Sequence, residues 1–144
     1  MTGTGAERAA RAAWAVMSDL VLDNERRQEV SEAVGLPFSR VRALRRLAAA
    51  PMTLGELAAA LGIDPPNCTP LVDDLEQRGL VERRGHPTDR RRKLVVTTAA
   101  GAELARRAQR LWEHPPVALR DLSPDDLHTL ADILSRVRAP KAGT

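Results

Sequence analysis

The 144-residue chain has one cysteine, Cys68, no tyrosine, and only three aromatic residues, Trp14, Phe38 and Trp112. A lone thiol forms no intrachain disulfide and builds no cysteine-rich zinc site, and it fits a reducing, cytoplasmic setting. Three aromatics are too few for the stacking platforms that hold single-stranded nucleic acid. No apolar run approaches the roughly 18 residues of a membrane span, so no membrane partner is expected. The start, MTGTGAERAARAAW, lacks the apolar core and small-residue cleavage site of a secretory signal. Catalytic signatures are also missing: there is no Gly-rich phosphate loop, no GxSxG and no HExxH. Asp73-Asp74 and Asp125-Asp126 are sequence neighbours, which a helix splays by about 100° rather than converging on one site. His86, His114 and His128 fall in three separate segments, so neither a metal nor another cofactor is expected, and the chain reads as a non-enzyme.

What is present is an ordinary globular composition, 43% hydrophobic and 28% charged, with an uneven distribution of charge. Four arginines and no acid lie between Phe38 and Ala50, a run of +4. Six bases and the single acid Asp89 lie between Arg83 and Lys93, a run of +5. Together they carry +9 against a chain total of +3, so the remainder is at −6. A basic focus on an acidic body suits a polyanion-binding surface, and the plain alternative is a solvated charge run.

The length fits one domain, or a small domain plus the elements that dimerise it. Ala10, Trp14, Met17 and Val21 recur at helical spacing within a helix over 6–22, interrupted at Asp23-Asn24 and followed by a short helical piece over 25–34. Gly35 and Pro37 punctuate the chain before a helix over 38–49 with Phe38, Val41, Leu44 and Leu47 on one face. Thr53 with Glu56 predicts a capping box opening a helix that buries Leu54, Leu57, Ala58 and Leu61. After the turn at Gly62, Asp64 is a natural N-cap, and Pro65-Pro66 suit a first turn. The helix that follows points Leu71, Val72 and Leu75 inward and ends at Gly79. Two helices across a three-to-four-residue turn make a helix-turn-helix. Leu80–Arg84 and Lys93–Thr97 then read as strands of a hairpin with a basic tip. Helices are expected over 99–112 and from Ser123-Pro124-Asp125-Asp126 onward, the latter with Leu127, Leu130, Leu134 and Val137 at 3-4-3 spacing, a packing seam that two chains can share.

A helix-turn-helix followed by a basic hairpin is a winged helix, mainly α with a small β-hairpin. Short side chains at a helix N-terminus can enter the roughly 12 Å major groove of double-stranded DNA, and hairpin arginines can enter the minor groove. Flanking arginines fix register on phosphate; Arg40, Arg84, Arg90 and Arg92 are candidates. Competing readings are a winged-helix module that binds protein through the same surface, and a nonspecific architectural DNA binder.

Leu57-Ala58 with Leu61-Gly62, Leu75-Glu76 with Gly79-Leu80-Val81, Asp89-Arg90-Arg91, and Thr98 with Gly101 follow one another in that order over residues 54–104. In these pieces the chain resembles the multiple-antibiotic-resistance regulator (MarR) family. The resemblance implies one domain over 1–144, with a DNA-binding lobe at 38–98 and dimerisation helices at 1–34 and 99–140. It implies a homodimeric, sequence-specific repressor on a pseudo-palindromic operator, released by a small-molecule inducer. Carried onto this chain, it gives a recognition helix over 65–78 with Pro66, Asn67, Thr69 and Pro70 facing DNA, Arg91 as the minor-groove arginine, and Asp89 shaping the wing by pairing with a neighbouring arginine. Asn67 has the donor and acceptor to bind adenine bidentately, and Thr69 can touch phosphate or a thymine methyl. Trp14 and Trp112, near the implied dimerisation region, either line the inducer pocket or pack in the core.

Two residues depart from this scheme. Pro70 is where the family commonly has a polar or basic residue, so either the helix starts later with Asn67 as its cap, or it is bent. Cys68, near a helix N-terminus that lowers thiol pKa, is either an oxidant sensor or a buried small residue.

Overall fold

The computed structural model describes residues 3–22 and 24–138. Alanine-rich and amphipathic sequence produces α1 (Gly5–Leu22), and the charged segment after it forms α2 (Asn24–Val34). Asp23, expected to interrupt the two, lies outside the described residues, as does the end of the expected dimerisation segment beyond residue 138. Gly35, at φ 72°, takes the left-handed conformation that ends α2, and its N–H bonds back to the Ser31 carbonyl. Then α3 (Phe38–Ala49) buries Val41, Ala43, Leu44 and Leu47.

Met52 and Thr53, expected only as a helix break and cap, form a two-residue strand, β1. They pair antiparallel with Val95 and Leu94, an arrangement no residue pattern so short could announce. Thr53 also caps α4 (Leu54–Leu61): its Oγ1 accepts from the Glu56 N–H at 3.2 Å, and Glu56 Oε2 accepts from the Thr53 N–H at 3.3 Å. Leu57, Ala58 and Leu61 are buried as the spacing requires, while Leu54 is only half-buried. Gly62, at φ 68°, closes the turn into α5 (Pro65–Gln77).

The hairpin consists of β2 (Val81–Gly85) and β3 (Lys93–Thr97), in register from Val81↔Thr97 to Gly85↔Lys93, so the sheet order is β1-β3-β2. Helix α6 (Ala99–Glu113) starts against the end of the helix-turn-helix. Thr98 Oγ1 donates to the Gly79 carbonyl at 2.6 Å and accepts from the Gly101 N–H at 3.1 Å. A Cβ at Gly101 would run into the Leu80 carbonyl, so glycine is the residue that permits this close approach. One core unites α2 through α6, with Val30, Leu44, Leu57, Leu75, Val81 and Ala108 all buried.

The chain divides into two compact units, Met1–Trp112 and Glu113–Thr144. The second holds a four-residue helix, α7 (Val117–Arg120), which the sequence did not announce, and α8 (Pro124–Arg138), whose first turn Ser123 Oγ caps by accepting from the Asp126 N–H. Among the described residues, no helix is long and apolar enough to cross a membrane.

Candidate nucleic-acid interface

The first turns of α5 present Pro65, Pro66, Asn67, Thr69 and Pro70 at the surface and turn Cys68 inward. Asp64 takes the extended N-cap conformation, yet its carboxylate makes no capping bond. Pro65 and Pro66 have no N–H to give it, and the first available N–H, from Asn67, bonds the Asp64 carbonyl at 2.9 Å. The helix therefore does not begin at an Asn67 cap. It starts at Pro65 and runs through Pro70, whose missing N–H leaves the Pro66 carbonyl without its helical partner on an exposed face. Thr69 Oγ1 donates back to the Pro65 carbonyl at 3.4 Å, and the exposed Asn67 amide has both donors and an acceptor.

The acids of α5 are consumed by arginines. Asp74 accepts from Arg78 at 3.1 Å and from Arg40 of α3 at 3.1 Å, and these guanidiniums, Arg78 first, hold its carboxyl below the usual aspartate range. Arg83 of β2 donates to Asp73 at 2.6 Å and to Glu76 at 2.9 Å, with its side chain only 24% exposed. Helices α5 and α3 and strand β2 are thus tied by charge-assisted hydrogen bonds. Asp73, Glu76, Arg78 and Arg83 were not singled out as a network by sequence reasoning. Arg83 lies seven and ten residues from Glu76 and Asp73 across a turn, which has no local signature, whereas Arg78 and Asp74 are an ordinary i,i+4 helix pair.

The wing tip is held by its backbone N–H donors. The His86 N–H bonds the Arg92 carbonyl at 3.1 Å and closes the loop. The His86 Nδ1 accepts from the N–H groups of Thr88 and Asp89, both at 3.2 Å. Asp89 was expected to pair with a neighbouring arginine side chain. Instead its Oδ1 accepts from the Arg91 N–H at 3.0 Å, and its carbonyl accepts from the Arg92 N–H, an Asx-type turn that needs no guanidinium.

The candidate arginines divide into two groups. Arg40 is tied to Asp74, Arg84 lies 3.4 Å from Glu82, and Arg92 lies 3.7 Å from Glu56 with a 3.5 Å contact to Thr53 Oγ1. Arg90 and Arg91, exposed at the tip, have no ion pair among the described residues.

Trp14 and Trp112 are not brought together. Trp112 stacks at 5.6 Å on Phe38 with the Arg45 guanidinium over its ring, whereas Trp14 is 68% exposed and has no ring partner among the described residues. Cys68 is buried, and desolvation pushes its thiol up, the opposite of what an oxidant sensor needs. Among the described residues, no group of His, Cys, Asp or Glu could hold a metal ion.

The profile of the MarR family matches residues 34–92. An HTH-type transcriptional regulator of Mycobacterium bovis is 38% identical over 102 residues, 67% of this chain and 71% of the relative. Escherichia coli MarR in its apo form superposes with TM-score 0.72 at 23% identity, over 88% of this chain and 96% of MarR. A Staphylococcus aureus MepR mutant bound to an oligodeoxyribonucleotide superposes with TM-score 0.65 at 21% identity, over 86% of this chain and 94% of MepR.

Proposed function

The chain belongs to the MarR family of helix-turn-helix transcriptional regulators, and from that premise we propose that it binds double-stranded DNA sequence-specifically as a homodimeric repressor, released by a small ligand. The observation that carries the DNA reading is the pairing of two exposed elements: the acid-free start of α5 and a wing tip whose Arg90 and Arg91 have no carboxylate partner among the described residues. In this reading Pro66, Asn67, Thr69 and Pro70 meet the major groove, with Asn67 reading bases. Arg91 enters the minor groove, where A·T tracts concentrate negative potential, and Asp89 shapes the turn that presents it. Arg40, Arg84, Arg90 and Arg92 contact phosphate, Arg84 and Arg92 by exchanging an exposed carboxylate for a phosphate oxygen and Arg40 with its terminal guanidinium nitrogens while its Nε stays on Asp74. The 38–98 lobe supplies these groups, and the helices at 1–34 and 99–140 join two copies, so that two lobes meet successive turns of a pseudo-palindrome.

The oligonucleotide-bound MepR structure supports this assignment by fold, since its lobe has the same architecture. The test is fluorescence anisotropy against the DNA upstream of the chain's own gene and a scrambled duplex of equal length, titrated from about 50 to 200 mM salt. Preference for the upstream duplex by roughly a thousandfold, with a steep salt slope, is expected. Equal affinity for both duplexes would reduce the protein to an architectural binder at that locus. No binding to either would assign the surface to a protein partner.

A further inference from the structure

The first basic run of the chain, between Phe38 and Ala50, lies mostly outside the proposed DNA surface. Of its four arginines only Arg40 reaches α5; Arg42, Arg45 and Arg46 line a groove between α3 and α6 of about 560 Å³. Across from them is Arg106, and Ala48, Ala49, Ala102 and Ala105 supply the apolar part of the lining. Among the described residues, no carboxylate lines the groove. Arg106 is held by Glu103 at 2.8 Å, and Arg45 lies over the Trp112 ring. Arg42 and Arg46 make no ion pair or side-chain hydrogen bond among the described residues. They stand four residues apart on one helix, where like charges repel and weaken the helix unless an anion lies between them.

We propose that this groove binds an organic phosphate of the nucleoside di- or triphosphate type, with its phosphates on Arg42 and Arg46 and its planar base on the alanine lining. Guanidinium forks bind phosphate oxygens bidentately, and two forks one turn apart match a chain of adjacent phosphates better than a single carboxylate. The volume lies within the roughly 300–1,000 Å³ of small-molecule sites. Small alanine side chains leave room for a flat ring, which the nearby arginine planes can also stack upon. Duplex DNA offers the same phosphate chemistry but no free base to enter the groove, so the two sources separate experimentally.

The test is calorimetric titration of the full chain with magnesium-free ATP, with adenosine and inorganic pyrophosphate as part-ligands, at about 150 mM salt. The wild type is compared with Arg42→Ala/Arg46→Ala, with Arg42→Lys/Arg46→Lys, and with the wing variant Arg90→Ala/Arg91→Ala. Expected are one ATP per protomer, weaker binding of pyrophosphate, none of adenosine, and about a tenfold or larger loss in the alanine groove variant. The lysine variant, which keeps charge but loses the fork, should fall between. The wing variant should bind ATP like the wild type, with or without saturating duplex. Circular dichroism melting of each variant separates loss of the site from loss of fold, and both groove positions are exposed, so folding should survive. ATP bound equally by the groove variants would overturn the proposal. So would ATP displaced by duplex and lost in the wing variant, which is polyanion binding on the DNA face, or no ATP binding by the wild type.

Discussion

The segment from α2 to α6, which contains the 38–98 lobe, and the helices α1 and α8 are made of similar residues and meet opposite fates. All buried hydrophobic residues among those described lie between Val30 and Ala108, whereas α1, α7 and α8 bury none. Yet α1 exposes Trp14, Leu20 and Val21, and α8 exposes Ile133, Leu134 and Val137, the last at 66%. A helix of 15 to 18 residues gains most of its stability from packing an apolar face, not from propensity. The lobe therefore carries its own reason to fold, while the outlying helices carry apolar seams that a single chain leaves in water. That asymmetry is what the proposed dimer would resolve: the lobe buries its apolar residues within one chain, and in the proposed dimer α1 and α8 would bury theirs between two.

The largest effects should come from breaking the lobe. Leu75, fully buried on the inner face of α5, should cost about 2–5 kcal/mol when replaced by alanine, read as a lowered urea midpoint at fixed protein concentration. Less than about 1 kcal/mol would mean that the lobe's core is looser than its burial implies. The matching change in an outlying helix is Leu130→Asp, on the half-buried side of the α8 seam. It should leave the lobe's secondary structure intact but weaken self-association by more than about tenfold in sedimentation equilibrium, because a charge would be buried at the proposed interface. An unchanged association constant would remove α8 from that interface.

Within the lobe, the wing tip and the wing base should separate by salt. Arg91→Ala should weaken operator binding by about tenfold and lower the salt slope by about one, the signature of a lost phosphate-region contact. Arg83→Ala should weaken binding without changing the slope, because Arg83 is occupied by Asp73 and Glu76 and acts by fixing the angle between α5 and β2. Equal slopes for the two variants would mean that the tip and base do not divide the work this way.

Much of this lobe was legible in the sequence. The bounds of α3, the Thr53–Glu56 capping box and both wing strands follow from periodicity, cap chemistry and β-branched runs, which act over a few residues and leave a local mark. The two-residue β1 and four-residue α7 complete no period and left none. Pro70 could not be settled from sequence, because continuing the helix depended on an exposed Pro66 carbonyl that solvent can satisfy. The site was legible as a set of basic residues but not as a division of roles. Which arginines are tied to carboxylates depends on side chains that meet across elements, as Arg40 meets Asp74 over 34 residues. His86 reads as an incidental wing histidine until its ring nitrogen is seen accepting two backbone N–H groups.

The smallest expected effect concerns the tie between α3 and α5, and here the sign can be worked out. The guanidiniums of Arg78 and Arg40 lower the Asp74 carboxyl in the folded chain, so the ionised form favours the fold. That contribution is fully present above the usual aspartate value and disappears as pH falls through the lowered one. Wild type and Asp74→Asn should therefore differ by a small, constant amount in urea midpoint near neutrality, small because the pair is solvent-accessible and screened. The gap should close on acidification toward about pH 2, as the wild-type carboxylate gains the proton that the amide variant never carried. Glu103, lowered in the same direction by Arg106 and then Arg110 on α6, provides a control away from the recognition helix: Glu103→Gln should show the same closing gap in stability and no change in operator affinity at neutral pH. Asp74→Asn should lose some affinity, because Arg40 would no longer hold α5 against α3. An Asp74 variant that binds DNA like the wild type would mean that the Arg40–Asp74 bond does not aim the helix, and a gap that widens as pH falls would mean that the two arginines do not favour the ionised carboxylate.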